Sequence, residues 1–108
     1  MKTSHMDTTS RDLTEVRRIV LEGLAGYAVR VYLFGSHARG TARRTSDIDV
    51  AILPLKPIPP WVLSVLRGNL EESHVPYRVD LVDLSMADQT FRERVMQEGI
   101  VWNAPESD

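Results

Sequence analysis

The apolar run Val29–Phe34 breaks at Gly35-Ser36, and the chain then resumes as Ser46-Asp47-Ile48-Asp49-Val50. Few folds accommodate that succession. Val29 to Phe34 is apolar or aromatic except at Arg30, which reads as a buried strand. The small-residue turn at Gly35-Ser36 leads into a short helix, Ser36 to Gly40, then a loop, Arg43 to Ser46. A second strand runs from Asp47 to about Leu53 and is ended by Pro54. Side chains two apart on a strand share a face, with Cα atoms about 7 Å apart. Asp47 and Asp49 therefore converge in front of the turn. Two adjacent anions are costly unless a cation neutralises them, so a divalent metal is expected there.

A third acid joins them. Tyr77 to Val82 is another β-rich run, and its single carboxylate, Asp80, stands mid-strand, where an acid is otherwise disfavoured. If that strand lies beside the Asp49 strand, three hard oxygen donors surround one site, a set that suits Mg²⁺ or Mn²⁺. Cysteine is absent and the three histidines are scattered, which argues against zinc. Gly35 permits close backbone approach, and Ser36 offers a hydroxyl and an amide to phosphate oxygens. Arg39, Arg43 and Arg44 cluster beside the turn, and arginine forks suit phosphates equally well as they suit solvent.

The ordered set Gly-Ser-x-Ala-x-Gly (35–40), Ser-Asp-x-Asp (46–49) and the later strand residue Asp80 resembles the signature of the DNA polymerase β-type nucleotidyltransferase superfamily. It is most similar to the minimal members, the MNT proteins paired with HEPN partners. The likeness runs from about Val29 to Val82, and Phe91 to Trp102, with Glu98-Gly99-Ile100, is also similar to MNT chains. The resemblance implies an α/β (α+β) fold, a small mixed β-sheet with helices packed on it, the polymerase-β-like palm. It implies transfer of AMP from ATP to a hydroxyl, a tyrosine on a cognate HEPN toxin, by a type VII-like antitoxin. Asp47, Asp49 and Asp80 would then be the catalytic residues and the ligands of two Mg²⁺ or Mn²⁺ ions. Gly35, Ser36 and Arg39 would bind the nucleotide's phosphates. Asp80 would stand nearest the acceptor, holding the cation there and taking or relaying the acceptor's proton. The alternative is a non-catalytic nucleotide-binding antitoxin that neutralises its partner by covering it. A small-molecule transferase similar to the aminoglycoside-modifying relatives would need an acceptor site that no residues here supply.

Duller roles stand beside these. Asp47 could cap a turn, Asp80 could pair with an arginine, and Ser36 could be an ordinary helix cap. His37 reads as a bystander, His74 as a loop residue and Asp83 as a turn cap, while Trp61 and Trp102 suit a core or an interface.

The 108 residues suffice for one domain with a modest core, spanning 1–108. Residues 1–7 read as a disordered or vector-derived leader and 104–108 as a tail. A net charge of −2 gives no support for direct nucleic-acid binding. No segment reads as a membrane span or signal peptide, and the lack of cysteine suits a cytoplasmic protein. A first helix is expected from a cap at Thr8 to Ser10 as far as about Leu24. A proline-rich connector, Pro54 to Pro60, precedes a helix from Trp61 to about Glu72, apolar on more than one stripe. Ser85 with Asp88 resembles the capped start of a last helix, Ser85 to Glu98, closed by Gly99, with Ile100 to Trp102 as a short strand or arm.

Overall fold

Alternating apolar positions on the strands and i, i+4 positions on the helices give the chain two layers to bury, and it buries them on a four-stranded sheet. The computed structural model describes residues 8–43 and 46–103, with backbone alone for 8–10. Its elements are α1 (Thr8–Gly23), β1 (Val29–Phe34), α2 (Ser36–Arg39), β2 (Ile48–Pro54), α3 (Trp61–Glu71), β3 (Val79–Asp83), α4 (Gln89–Glu98) and β4 (Ile100–Val101). The strand order is β3-β2-β1-β4. β1 runs antiparallel to β2 and β4, whereas β2 and β3 are parallel. A parallel pair needs a crossover, and α3 supplies it. The mixed sheet agrees with the expected architecture.

Strand alternation sorts the side chains between two faces. Val31, Leu33, Val50, Ile52 and Leu81 point to the face covered by α1 and α3. There Val16 and Val20 of α1, one helical turn apart, meet Val62, Leu66 and Leu70 of α3. Val16, Val20, Val31, Val50 and Ile52 are fully buried, and removing each such side chain from water contributes about 1.5–3 kcal/mol. The opposite face holds a smaller cluster of Tyr32, Ala51, Leu84 and Val95, with Phe34 and Phe91 packed against it edge to face.

Trp102 and Asn103, just after β4, tie the sheet together. Trp102 donates its amide to Val31 O, and the Asn103 side chain accepts from Val31 N at 2.9 Å and donates to Val29 O at 2.7 Å. Asn103 thus continues the ladder of β4 with an amide side chain instead of backbone. Arg17 of α1 donates through Nε and Nη2 to Trp102 O.

Several boundaries differ from the sequence reading. The second strand opens at Ile48, so Asp47 sits just outside it, and the third runs Val79–Asp83 in place of Tyr77 to Val82. β3 starts where β2 offers a partner, since Val79 lies opposite Ile48. Ser85 does not start the last helix. Asp83 Oδ1 accepts from the Ser85 amide and hydroxyl at 2.9 and 2.6 Å, closing a separate 3₁₀ turn, Leu84–Met86. Asp88 then caps α4 by accepting from the Phe91 amide at 2.8 Å. Trp102 is a core residue, but Trp61 is 60% exposed. The expected leader, the tail and the side chains of the Thr8–Ser10 cap lie outside the described residues, as do Arg44 and Thr45. Among the described residues, no helix is long and apolar enough to cross a membrane.

Candidate active site

Register decides where the acids meet. Phe34, the last residue of β1, lies opposite Asp49 of β2, and Asp49 lies opposite Asp80 of β3. Residues directly opposite share a face, so Asp49 and Asp80 both project from the face bearing the smaller cluster. With about 4.8 Å between neighbouring strands, the end of β1, Asp49 and Asp80 form a row across the sheet. Asp47, just before β2, lies close enough for its charge to act on Asp49. The three predicted acids are therefore brought together.

The turn is built around Asp49. Gly35 has φ +77°, in the left-handed region, and a Cβ placed on it would overlap the Asp49 Oδ2 atom and stand 3.2 Å from its Cγ. Only glycine leaves that carboxylate its place. Gly40 closes α2, also in the left-handed conformation, with nothing near its missing side chain, so its role is to end the helix. Ala38 and Arg39 donate their amides to Gly35 O. The first amides of α2, those of Ser36 and His37, have no carbonyl within the helix to bond.

Burial is the main influence pushing the Asp49 carboxyl above its ordinary value. The negative charges of Asp80 and Asp47 add to it, while His37 and Arg39 pull the other way. An acid so placed favours a proton or a cation beside it. Asp80 is partly answered by Arg78, whose Nε lies 3.3 Å from Asp80 Oδ1 on an exposed surface. The ion pair and the shared acid row coexist. Hard oxygen donors on one face suit a magnesium-type ion. Among the described residues, no three His, Cys, Asp or Glu side chains close around one point as a finished metal cage would. The expected arrangement of three acids around one point is therefore not closed here: Asp49 and Asp80 stand side by side, with Asp47 near Asp49.

His37 has a structural part. It is buried, its Nε2 donates to Ser46 O at 3.1 Å, and its ring stands edge-on to Tyr77 at 5.6 Å. Arg43 and Ser46 exchange two further hydrogen bonds. Together these hold Ser46, the residue before Asp47. Nothing local in the sequence marks this, because the partners of His37 come from distant segments. A cleft of about 170 Å³ beside the turn, lined by Gly35, Arg39, Phe91 and Arg94 among others, was not legible either. It brings Arg94 of α4 to the same end of the sheet as Arg39. His74 is an exposed loop residue and Asp83 a turn cap, as expected.

Residues 26–103 match the family described as Polymerase beta, Nucleotidyltransferase. The chain is 32% identical over 98 residues to the "Probable protein adenylyltransferase MntA" of Haemophilus influenzae, covering 91% of this chain and 84% of that protein. It is 37% identical over 82 residues to the protein adenylyltransferase MntA of Shewanella oneidensis, covering 72% of this chain and 56% of that protein. Its fold is similar to a crystal structure of a toxin–antitoxin with AMP-PNP, at a TM-score of 0.65 and 28% identity, over 91% of this chain and 75% of that one.

Proposed function

The chain belongs to the polymerase-β nucleotidyltransferase family, and on that premise we propose that it transfers AMP from ATP to a tyrosine hydroxyl of a HEPN-type toxin in the cytoplasm, acting as the antitoxin. The likeness to MntA adenylyltransferases and to a toxin–antitoxin with an ATP analogue supports the substrate and the partner. The observation that carries the reading is Asp49, held under Gly35 and paired in register with Asp80.

The residues divide the work by position. Gly35 and Ser36 hold the β- and γ-phosphates at the end of β1, with Arg39 countering their charge. Asp49 and Asp80 sit beneath the α-phosphate, where Asp47 completes the acid set. The acceptor oxygen bonds to the α-phosphorus, the bridge to the β-phosphate breaks, and pyrophosphate leaves from the Gly35 side. The acceptor's proton passes to a carboxylate of the row, Asp80 being nearest. Asp47, Asp49 and Asp80 would hold Mg²⁺ or Mn²⁺, which when bound neutralises phosphate charge and aligns the attacking and leaving oxygens.

Incubation with labelled ATP, Mg²⁺ and a cognate HEPN toxin should label that toxin. The paired change Asp47→Asn with Asp49→Asn should abolish labelling. Undiminished transfer by the double variant would sink the reading.

The second reading, neutralisation by covering the partner, is favoured by one observation. Trp61 and Val65, one turn apart on α3, are 60% and 53% exposed. If the double Asn variant still protects cells from the toxin, covering suffices. If protection is lost while the complex survives, it does not.

A further inference from the structure

We infer that the acceptor reaches this site as an extended polypeptide segment lying along the outer edge of β3. This rests on the adenylyl-transfer reading and specifies how that site receives its acceptor.

Direction comes first. In-line displacement requires the attacking oxygen to enter opposite the leaving group. The phosphate turn lies at the end of β1, Asp49 on β2 and Asp80 on β3, so pyrophosphate leaves on the β1 side. The acceptor oxygen then enters from beyond Asp80, which is off the open edge of the sheet.

That edge has the equipment to receive a strand. β3 has β2 on one side only. Arg78 O accepts from Ile48 N at 2.9 Å, so Arg78, and with it Asp80 and Val82, turn their backbone groups toward β2. Val79 and Leu81 must turn theirs outward. Leu81 confirms the phase, since its carbonyl accepts from Arg67 Nη2 at 3.1 Å across the edge. A groove of about 500 Å³ runs there between α3 and β3, lined by Arg67, Glu71, Val75, Tyr77, Arg78 and Asp80 among others. Asp80 belongs both to this groove and to the acid row. A strand laid in the groove gains main-chain hydrogen bonds from the edge, and its side chains sample a channel that leads to Asp80.

The occupant is a protein segment because Val79 N, Val79 O and Leu81 N face outward in strand register, Leu81 O being held by Arg67, and another extended backbone matches that pattern. Its hydroxyl-bearing side chain forms the new O–P bond. The bond between the α-phosphorus and the bridging oxygen breaks, and the hydroxyl proton goes to a carboxylate of the row.

Two measurements test this with a cognate HEPN toxin as the probe. Adding it with AMP-PNP should slow amide exchange at Val79 and Leu81 by at least about tenfold, the worth of one net hydrogen bond. Val79→Pro removes an outward donor while sparing the β2 ladder. It should cut transfer to the partner by about tenfold while changing ATP affinity less than about twofold. If Val79→Pro loses ATP binding, the exchange result on the unaltered chain decides alone. Labelling of the partner with unchanged exchange at both edge amides overturns the inference and leaves adenylyl transfer standing. No labelling by the unaltered chain removes both.

Discussion

The two faces of the sheet use the same strands for opposite purposes. On β2, Ile48, Val50 and Ile52 point into the layer beneath α1 and α3 and are fully buried. Asp49, one residue out of phase, points to the other face, where α4 and the 3₁₀ turn cover only part of the surface. The covered face supplies the stability. Where cover stops on the other face, Asp49 and Asp80 occupy positions that packing alone would fill with apolar residues. Charge is tolerated there because water, a cation or a phosphate can reach it. The cost is visible in the raised titration of Asp49.

Five changes would break or sharpen that contrast. The largest effect is expected from Asp49→Asn, which should lower initial rates of transfer from labelled ATP by about 10³-fold. The same variant should melt a few degrees higher at pH 7. With the folded-state value raised above the ordinary 3.8, the stability attached to the protonated acid is complete below that value. It is lost as pH rises through the raised one, so the melting gap over the native chain should close in acid. A native chain that melts higher at neutral pH would contradict the division of labour.

On the covered face, Leu66→Ala should cost about 2–5 kcal/mol in urea unfolding, with transfer by the remaining folded protein unchanged. The matching change on α4, Val95→Ala, should cost roughly half as much. Gly35→Ala joins the two properties at one atom. It should cost about 1–3 kcal/mol for the left-handed backbone and also lose transfer, because the new methyl displaces Asp49. The smallest effect is expected from Asp88→Ala, which removes the cap of α4 for about 1 kcal/mol and leaves ATP affinity alone in a calorimetric titration.

What the sequence disclosed follows the range of the forces involved. The order of elements, the Gly35 turn and the strand bearing Asp49 were legible because periodicity and turn chemistry are local. The acid row also depended on β3 lying beside β2, which the sequence left open and the register now supplies. The start of β3 was misjudged because it begins where β2 begins, a neighbour distant in sequence, and its end because the turn capped by Asp83 stops it while β2 runs on to Pro54. The start of α4 was misplaced for a different reason. Asp83 and Asp88 both cap turns within a few residues, and only geometry assigns one to each. The contacts of His37 were not legible because its packing against Tyr77 and its bond to Ser46 O join separate parts of the chain.

Asn103 carries a consequence of its own. One side chain stands in for two rungs of backbone against Val29 and Val31, and its neighbour's carbonyl receives the fork of Arg17. Loss of that amide would free the segment after β4 from the start of β1, and the carbonyl that Arg17 holds would lose its anchor beside it. The seam between the chain's two extremities would fray as one unit, well before the interior loosens.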